Sequence, residues 1–547
     1  MRMTRRFLFA VSAVVACAGA QAMTDAEFEA KRAELLAKPR HIMTDNDGND
    51  IVYYDRNRPV TEQAFIDSRI GYVAKTRAET MIYCPWSAGF GYFTVPDVGD
   101  LYTGYCPYQN TTNRTVAFLE QGKNSLQMAI DFCRREKREA FLGIRMNDTH
   151  DAYTEQLFPP WKKENPDCLF GTKEKKPNRC SWSAVDFENP KTRAYMLSFM
   201  RKFLEKFDID GVEYDFFRHC QLFKSVAWTT DQESSKATQE QLDLMSDFMA
   251  KLRALTEEFG RRRGKPILVA IRVPDSFSYN KCVGIDLRKW LEQKSADIVI
   301  IGGYWQFNPW RDTVKRIHLL GAKCYVSLDE SRIGWNEKAY PHGTLWGRSH
   351  LGFYAARMAA AMEEGADGVC FFNCQGKSLA QFASIDPTAT EGQPKYYFAV
   401  ERGSGGATPN SYIYYGNRFS TMPDLDPARP HVIAPASVYA FSLAIGDDFA
   451  SPVAKARPPT ATAELLVNLT EKADFRLRVN GRTLGAPKFA PGKKDGGVLT
   501  FDVPVDALKR GANDIEVEAP FVAPGGKDMK LVDFVLRLNY PQPKKEN

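Results

Sequence analysis

Two acidic residues spaced two apart, Glu213 and Asp215, lie in the short apolar segment Gly211–Phe216, whose composition is typical of a β-strand. Side chains two apart on a strand project from the same face. Two carboxylates that converge in a partly dry site repel, which raises the pKa of one and leaves a proton donor beside an anion. General acid–base chemistry needs such a pair. The alternative for Glu213 is a buried network neutralised by Arg218 or Arg145.

A second acidic pair follows the strand candidate Lys323–Leu328. Period two puts Asp329 on the inward face, and Glu330 follows at the start of the loop. Hydrolysis of a glycosidic bond uses two carboxyl groups, one as acid and the other as nucleophile or base. We therefore expect Asp329 or Glu330 to face Asp215 across a shared site. A solvated loop is the alternative for both.

Polar and aromatic side chains also follow the other strand candidates. An arginine such as Arg145, at the end of an apolar strand, needs a carboxylate or a ligand as partner. Arginine and asparagine bind sugar hydroxyls, and aromatic rings stack on sugar faces. The residues predicted to contact substrate are Arg145, Asn147, Asp148, His150, Arg218, His219, Arg272, Tyr304, Trp305 and Asn373. Since no histidine pair has the spacing of helical ligands, we predict neither a metal nor a cofactor.

Short apolar strands alternate with amphipathic helices from residue 76 to about 395, which favours a parallel α/β fold. No glycine-rich phosphate-binding turn follows the first strand, so an eight-stranded (β/α)8 TIM barrel fits better than an open sheet. We place the one strand that is not evident near Ser181–Asp186. The seven clear candidates are Thr80–Cys84, Phe141–Met146, Gly211–Phe216, Ile267–Val273, Asp297–Gly302, Lys323–Leu328 and Gly368–Asn373.

The pattern changes on both sides of this region, which divides the chain into five parts. Residues 1–22 are a signal peptide, and 23–75 form a helical or extended segment that packs on the outside of the barrel. Residues 76–395 are the catalytic barrel, and 396–430, rich in Gly, Pro, Ser and Asn, are a linker or rim segment. Residues 431–547 show period-two strands with Gly, Pro and Asn turns, which predicts an antiparallel β-sandwich of the jelly-roll type as an accessory domain.

The first residues of the chain predict export to the periplasm, the cell surface or the medium. Basic Met1–Arg6 precedes the apolar run Phe7–Ala16, and Ala20-Gln-Ala22 has the form that signal peptidase cleaves. Cys17 after Val-Val-Ala offers an alternative, cleavage with lipid attachment. The apolar run is too short to span a bilayer, so we expect no transmembrane segment.

Composition limits the class of protein. Hydrophobic residues make up 44% and aromatic residues 12%, which excludes a disordered chain. The net charge of +6 is too small and dispersed to indicate a nucleic-acid partner. Neither a GxSxG elbow nor an HExxH motif occurs, which argues against serine-hydrolase and zincin chemistry.

Two stretches on either side of a predicted helix carry a resemblance to a known family, namely Val185-Asp-Phe-Glu-Asn-Pro190-Lys-Thr-Arg193 and Phe207-Asp-Ile-Asp-Gly-Val-Glu-Tyr-Asp215. They resemble the pre-helix turn and the fourth strand of the glycosyl-hydrolase-like family ten group of TIM barrels. The stretch Gly211–His219 is also similar to the fourth-strand motif of the α-amylase family. In that motif Glu213 stands where an arginine is expected, and the fifth strand has no glutamate. Both resemblances imply that Asp215 is catalytic.

These observations predict an exported glycoside hydrolase that cleaves a polysaccharide or complex glycan with a pair of carboxyl groups. Asp215 is one of the pair, and Asp329 or Glu330 is the other. The alternative is a non-catalytic glycan-binding or cell-surface protein that uses the same cleft. The sugar, the linkage and the oligomeric state stay open at this point.

Overall fold

A computed structural model describes residues 23–541 except 107, 231–234, 304–305, 329–349, 400–418, 424, 426–429, 493–495, 523 and 527. The α-helices are α1 Asp25–Ala37, α2 Glu62–Ser68, α3 Thr115–Leu119, α4 Ser125–Arg135, α5 Pro160–Glu164, α6 Pro190–Lys206, α7 Lys224–Trp228, α8 Gln239–Arg262, α9 Phe277–Val283, α10 Leu287–Glu292, α11 Trp310–Leu319, α12 Leu351–Glu363, α13 Gly376–Phe382 and α14 Pro452–Ala456. Short 3₁₀ segments cover Ile70–Lys75, His150–Ala152, Glu155–Leu157, Pro166–Cys168, Val505–Ala507 and Pro524–Gly526. Within these described ranges, no helix has the length and apolarity that crossing a membrane requires.

The first part of the molecule is a closed barrel of eight parallel strands, which confirms the predicted TIM-barrel class. Each strand pairs with the next along the chain, and the last pairs with the first. The strands are β1 Ile42–Asn46, β2 Thr80–Tyr83, β3 Glu139–Arg145, β4 Gly211–Asp215, β5 Leu268–Val273, β6 Ile298–Ile301, β7 Lys323–Ser327 and β8 Gly368–Phe372.

The strand that the sequence did not make evident is β1, and its predicted placement at Ser181–Asp186 is wrong. The 181–186 segment belongs to the connection between β3 and α6 and makes only one isolated antiparallel bridge, from Val185 to Leu169. The 23–75 segment therefore contributes a barrel strand instead of only packing outside. Every residue of β1 is buried, yet three of its five residues are polar. A period-two hydrophobic pattern cannot reveal such a strand.

Seven of the eight strands, all except β4, each contribute one or two inward-facing residues to the apolar filling of the barrel, as the alternation of a strand requires. The apolar cluster inside the barrel consists of Met43, Ile82, Phe141, Leu268, Ala270, Ile298, Ile300, Tyr325 and Cys370. Residues two positions further along the same strands share this orientation and reach the C-terminal mouth of the barrel.

Local signals in the sequence mark where barrel helices begin and end. The Asn189 side chain accepts the Lys191 N–H at 3.0 Å, and Pro190 opens α6. Asp286 caps α10 in the same way. Gly365, which follows α12, has φ of +92°, a conformation that favours glycine.

The last part of the chain is the predicted antiparallel β-sandwich. Its strands are β9 Lys395–Phe398, β10 His431–Ile433, β11 Val438–Ile445, β12 Thr460–Val467, β13 Arg476–Val479, β14 Arg482–Thr483, β15 Lys488–Pro491, β16 Gly497–Val503, β17 Gly511–Glu518 and β18 Met529–Asn539. One sheet has the order β9-β18-β12-β16-β15, with β10 also paired to β18, and the other has the order β11-β17-β13-β14. Apolar residues of both sheets form one core. β9 lies at the start of the predicted linker, so this stretch contributes to the sandwich.

Candidate active site

Three neighbouring strands place charged side chains in one layer at the C-terminal mouth of the barrel. Arg145 of β3 is in register with Asp215 of β4, which is in register with Arg272 of β5. Asp45 of β1 also lies at the end of its strand, two residues beyond inward-facing Met43. By the same parity Arg145, four residues beyond inward-facing Phe141, also points inward.

Asp215 is held in place from both sides of its carboxylate. Its Oδ1 accepts the backbone N–H groups of Phe217 and Arg218, each at 2.9 Å, and its Oδ2 accepts Nη1 of Arg272 at 3.2 Å. The side chain is only about 2% exposed. The Arg272 guanidinium lies over the Phe372 ring at 3.6 Å from its centroid, which keeps it in the layer. Asp215 is thus held in one orientation by two backbone N–H groups and an ion pair.

Asp45 and Glu213 are the acids whose charge this environment disfavours. Burial, with the charge of Asp215 added, raises the pKa of Asp45 from 3.8 to about 8, against the opposing charges of Arg272 and Arg145. Burial and the charges of Asp45 and Asp215 raise the pKa of Glu213 well above its ordinary value. Oε1 of Glu213 is buried and has no hydrogen-bond partner among the described residues. The environment therefore favours the protonated form of both acids beside the ion pair of Asp215 with Arg272.

A second network surrounds Arg145. Its Nη1 donates to Asp148 at 3.0 Å and to the Ser87 carbonyl at 3.1 Å, and its Nη2 donates to Asp47 at 3.2 Å. Asp47 also accepts Nη2 of Arg69 at 2.9 Å. Burial raises the pKa of Asp47, but the charges of Arg69 and Arg145 outweigh it and hold that pKa below its ordinary value. The carboxylates of this network are anions that fix the arginines.

His150 joins this network to the loop after β4. Its Nδ1 lies 2.9 Å from both carboxylate oxygens of Asp148, and its Nε2 lies 3.1 Å from Nη2 of Arg218. The His219 ring packs edge-on against it at 5.1 Å. Burial lowers the pKa of His219 well below its ordinary value, so this ring is neutral. Asp148 therefore positions His150 and Arg145, and does not itself line the open cleft.

The ligand atoms of Asp148, His150 and His219 lie within 4.8 Å of one another, a spacing that a metal ion could bridge. Arg145 and Arg218 are hydrogen-bonded to two of these residues at 3.0 and 3.1 Å. Two guanidinium groups at that distance repel a cation, so the residues present do not suit a metal ion.

A cavity of about 590 Å³ opens at the mouth of the barrel beside these networks. Its volume is within the usual range of about 300–1,000 Å³ for ligand sites. Two exposed rings stand at its edges, Tyr108 at 58% and Tyr153 at 72% exposure. The lining residues are Asp47, Asn49, Tyr53, Arg69, Ser87, Ala88, Tyr108, Arg145, His150, Tyr153, Thr154, Leu157, Arg218, Asn373 and Gln375.

The structure thus brings four predicted contact residues to one cavity: Arg145, His150, Arg218 and Asn373. Asn373, at φ of +53°, accepts the Gln375 side-chain amide at 3.1 Å. Of the predicted residues, Tyr304, Trp305, Asp329 and Glu330 lie outside the described part of the chain, so the pairing of Asp215 with Asp329 or Glu330 stays a prediction.

Asn147 has a structural environment in place of the predicted substrate contact. Its amide donates to the Val185 and Gln221 carbonyls at 3.0 and 2.7 Å, and its oxygen accepts the Val185 N–H at 2.9 Å. The residue is fully buried. It joins the loops that follow β3 and β4.

Sequence reasoning missed Asp45, Asp47 and Arg69. A signal for the two acids exists, since Asp45-Asn-Asp47 has the same spacing as Glu213-Tyr-Asp215 at the end of a short strand. Arg69 follows α2 and precedes a 3₁₀ segment, and no local sequence pattern distinguishes it from an arginine on the surface.

No family model and no curated protein sequence matches the chain. Solved structures that are similar to it include the PgaB (BpsB) glycoside hydrolase domain from Bordetella bronchiseptica, with 12% identity and a TM-score of 0.41, covering 64% of this chain and 99% of that one. An α-amylase from Anoxybacillus has 12% identity and a TM-score of 0.35, covering 88% and 98%. An α-L-fucosidase isoenzyme from Paenibacillus thiaminolyticus has 11% identity and a TM-score of 0.33, covering 65% and 51%.

What the barrel can do chemically depends on the residues at its mouth.

Proposed function

We propose that this chain is an exported glycoside hydrolase that cleaves a polysaccharide or complex glycan with paired carboxyl groups. The observation that supports this most directly is the contrast between Asp215 and Asp45. Asp215 accepts three N–H donors, one of them in its ion pair with Arg272, while burial raises the pKa of Asp45 to about 8. A proton donor and an anion at one barrel mouth are the two groups that glycosidic bond cleavage requires.

In this proposal Asp215 is the catalytic anion, either as nucleophile or as base. Its partner is Asp329 or Glu330, as the sequence predicts, or Asp45, which the structure adds. Arg272 holds the charge of Asp215 at 3.2 Å and limits its rotation. The cavity with Arg145, His150 and Arg218 on its wall is the sugar site, and Tyr108 and Tyr153 offer rings for stacking.

The test is a screen of glycans and aryl glycosides with the wild-type protein and Asp215→Asn. Asparagine still accepts the two backbone N–H groups through its oxygen, but it has no negative charge. We expect the wild type to cleave at least one substrate and the variant to lose at least about two orders of magnitude in kcat. Activity retained in the variant would remove Asp215 from the mechanism.

Asp297→Asn is the matched control. Asp297 is also a buried carboxylate paired with an arginine, Arg253, at 2.5 and 3.1 Å, but it precedes β6 and lies at the opposite end of the barrel. This variant loses a comparable ion pair, and we expect full kcat in the fraction that folds. Equal losses in both variants would show that stability, not chemistry, explains the effect. Substrate binding without turnover in the wild type would favour the glycan-binding alternative.

A further inference from the structure

The cavity at the barrel mouth has an unusual balance of charge. Among its described lining residues, three arginines, Arg69, Arg145 and Arg218, face a single carboxylate, Asp47. Within the described part of the chain, Asp50 and Asp148, which pair with Arg69 and Arg145, do not line the cavity. Asp50 contacts Arg69 at 3.1 Å and is itself fully buried at the side chain. The wall that a ligand meets is therefore more cationic than the network as a whole.

The hydrogen-bond donors of this arginine wall, formed by Arg69, Arg145 and Arg218, also favour an anionic ligand. A guanidinium has five N–H donors and no acceptor. The bonds that Arg145 makes to Ser87, Asp47 and Asp148 use three of its five donors within the described part of the chain. Neutral sugars carry hydroxyl groups, which need acceptors as well as donors. A wall with surplus donors is best matched by a group that only accepts, such as a carboxylate or sulfate.

We infer that this glycoside-hydrolase site binds an acidic glycan, in which a sugar ring stacks between the tyrosines at the edges and its anionic group contacts the arginine wall. This inference rests on the proposed function and names its substrate class. Tyr108 and Tyr153 are the exposed rings, and Arg145 and Arg218 are the anion-binding groups. The anionic group is a uronic acid carboxylate or a sulfate ester, which share this recognition chemistry.

The test is a binding measurement by calorimetry on the full chain. The probes are oligogalacturonate and oligoglucuronate, the same oligosaccharides after reduction of their carboxyl groups to alcohols, and a sulfated oligosaccharide of neutral sugars. We expect an acidic probe to bind at least about tenfold more tightly than its reduced counterpart, because hydrogen bonds to charged groups are the stronger ones. The preference should weaken as salt rises. The carboxylate and sulfate arms identify the anion.

Three variants locate the effect. Arg218→Gln should lose most of the preference for the acidic probe, whereas Arg218→Lys should keep part of it because the charge remains. Arg311→Gln removes an exposed arginine that lines a different cavity, near α12 and the sandwich, and should change nothing. Tyr153→Ala should weaken the acidic and the reduced probes equally, since stacking does not depend on charge. A variant that fails to fold leaves the wild-type comparison of acidic and reduced probes intact.

Equal affinity of the wild type for acidic and reduced probes would overturn the inference, as would equal weakening of both probes in Arg218→Gln. Hydrolysis of the same probes separates this inference from the proposed function. Cleavage of neutral glycans only, with no binding of acidic ones, would refute the acidic substrate class and leave the hydrolase standing. Tight binding of an acidic probe with no cleavage of any glycan would support the acidic site and refute the hydrolase.

Discussion

Replacement of Asp45 by asparagine should make the protein more stable at alkaline pH. Asp45 is buried at the barrel mouth, and its carboxyl group is protonated at neutral pH. Asparagine has nearly the same size and is neutral at every pH. The substitution therefore removes the ionisation of this side chain without a large change of packing.

The magnitude follows from the pKa of Asp45, which burial raises from the ordinary 3.8 to about 8. Between these values the folded chain keeps a proton that the unfolded chain has released, so stability falls as pH rises from about 4 to about 8 and is constant above. Each pH unit in this window costs about 1.4 kcal/mol. The full cost above pH 8 is then about 6 kcal/mol, an upper limit because the folded state relaxes around the charge.

The measurement is urea unfolding of wild type and Asp45→Asn at pH 4, 7 and 9, with tryptophan fluorescence as the probe. At pH 4 the two proteins should be about equally stable. At pH 9 the variant should be more stable by several kcal/mol, with a smaller gain at pH 7. Some dependence on pH should remain in the variant, since the pKa of Glu213 is also raised.

Asp367→Asn provides a control of opposite sign. Burial opposes the charge of Asp367, but its bonds to Lys323, the Cys324 N–H and His318, each 2.8 Å long, lower its pKa. Its contribution to stability is present above the unfolded pKa and lost as pH falls, so this variant should be destabilised at pH 7 and 9. If Asp45→Asn were equally destabilised at all three values, Asp45 would be an ionised structural acid and the reasoning would fail.

Two further substitutions test the packing around the site and the sandwich. Arg272→Met should destabilise the protein by about 3–5 kcal/mol in chemical denaturation, because it leaves Asp215 buried without its ion pair. Adding Asp215→Leu should recover part of this loss of stability, and no recovery would contradict the pairing. Gly446→Ala should lower the free energy of unfolding by about 1–3 kcal/mol, and with it the thermal midpoint, because a Cβ at this position would lie 2.2 Å from the Ala359 carbonyl oxygen of α12. An unchanged midpoint would show that the sandwich does not pack closely on α12.

The sequence predicts those strands in which apolar residues mark the buried positions. The same pattern predicts whether the polar side chains on these strands point into the barrel or out of it. Arg145, Asp215 and Arg272 follow apolar neighbours on β3, β4 and β5, so the pleat decides that they face inward. The prediction fails beyond the last paired residue. β3 ends at Arg145, the pleat no longer applies two residues later, and Asn147 turns toward the Val185 backbone.

The prediction from sequence also missed the first strand, β1, entirely. Only Ile42 and Met43 of β1 are apolar, and its five residues look like a polar loop between α1 and α2. Its identity as a strand comes from long-range pairing with β2 and β8, which no local pattern contains. Asp45 and Asp47 were missed for this reason, although both interact with the arginines at the barrel mouth.

The different roles of Asp45 and Asp215 follow from which strands lie next to each acid. Asp215 is in register with Arg145 on one side and Arg272 on the other, so each neighbouring strand supplies a positive charge. Asp45 is in register with Ile82 and Phe372, which supply none. Two chemically identical side chains at the ends of two strands of one barrel therefore differ in environment: Asp215 is ion-paired with Arg272, whereas burial and the charge of Asp215 outweigh the arginines at Asp45 and raise its pKa.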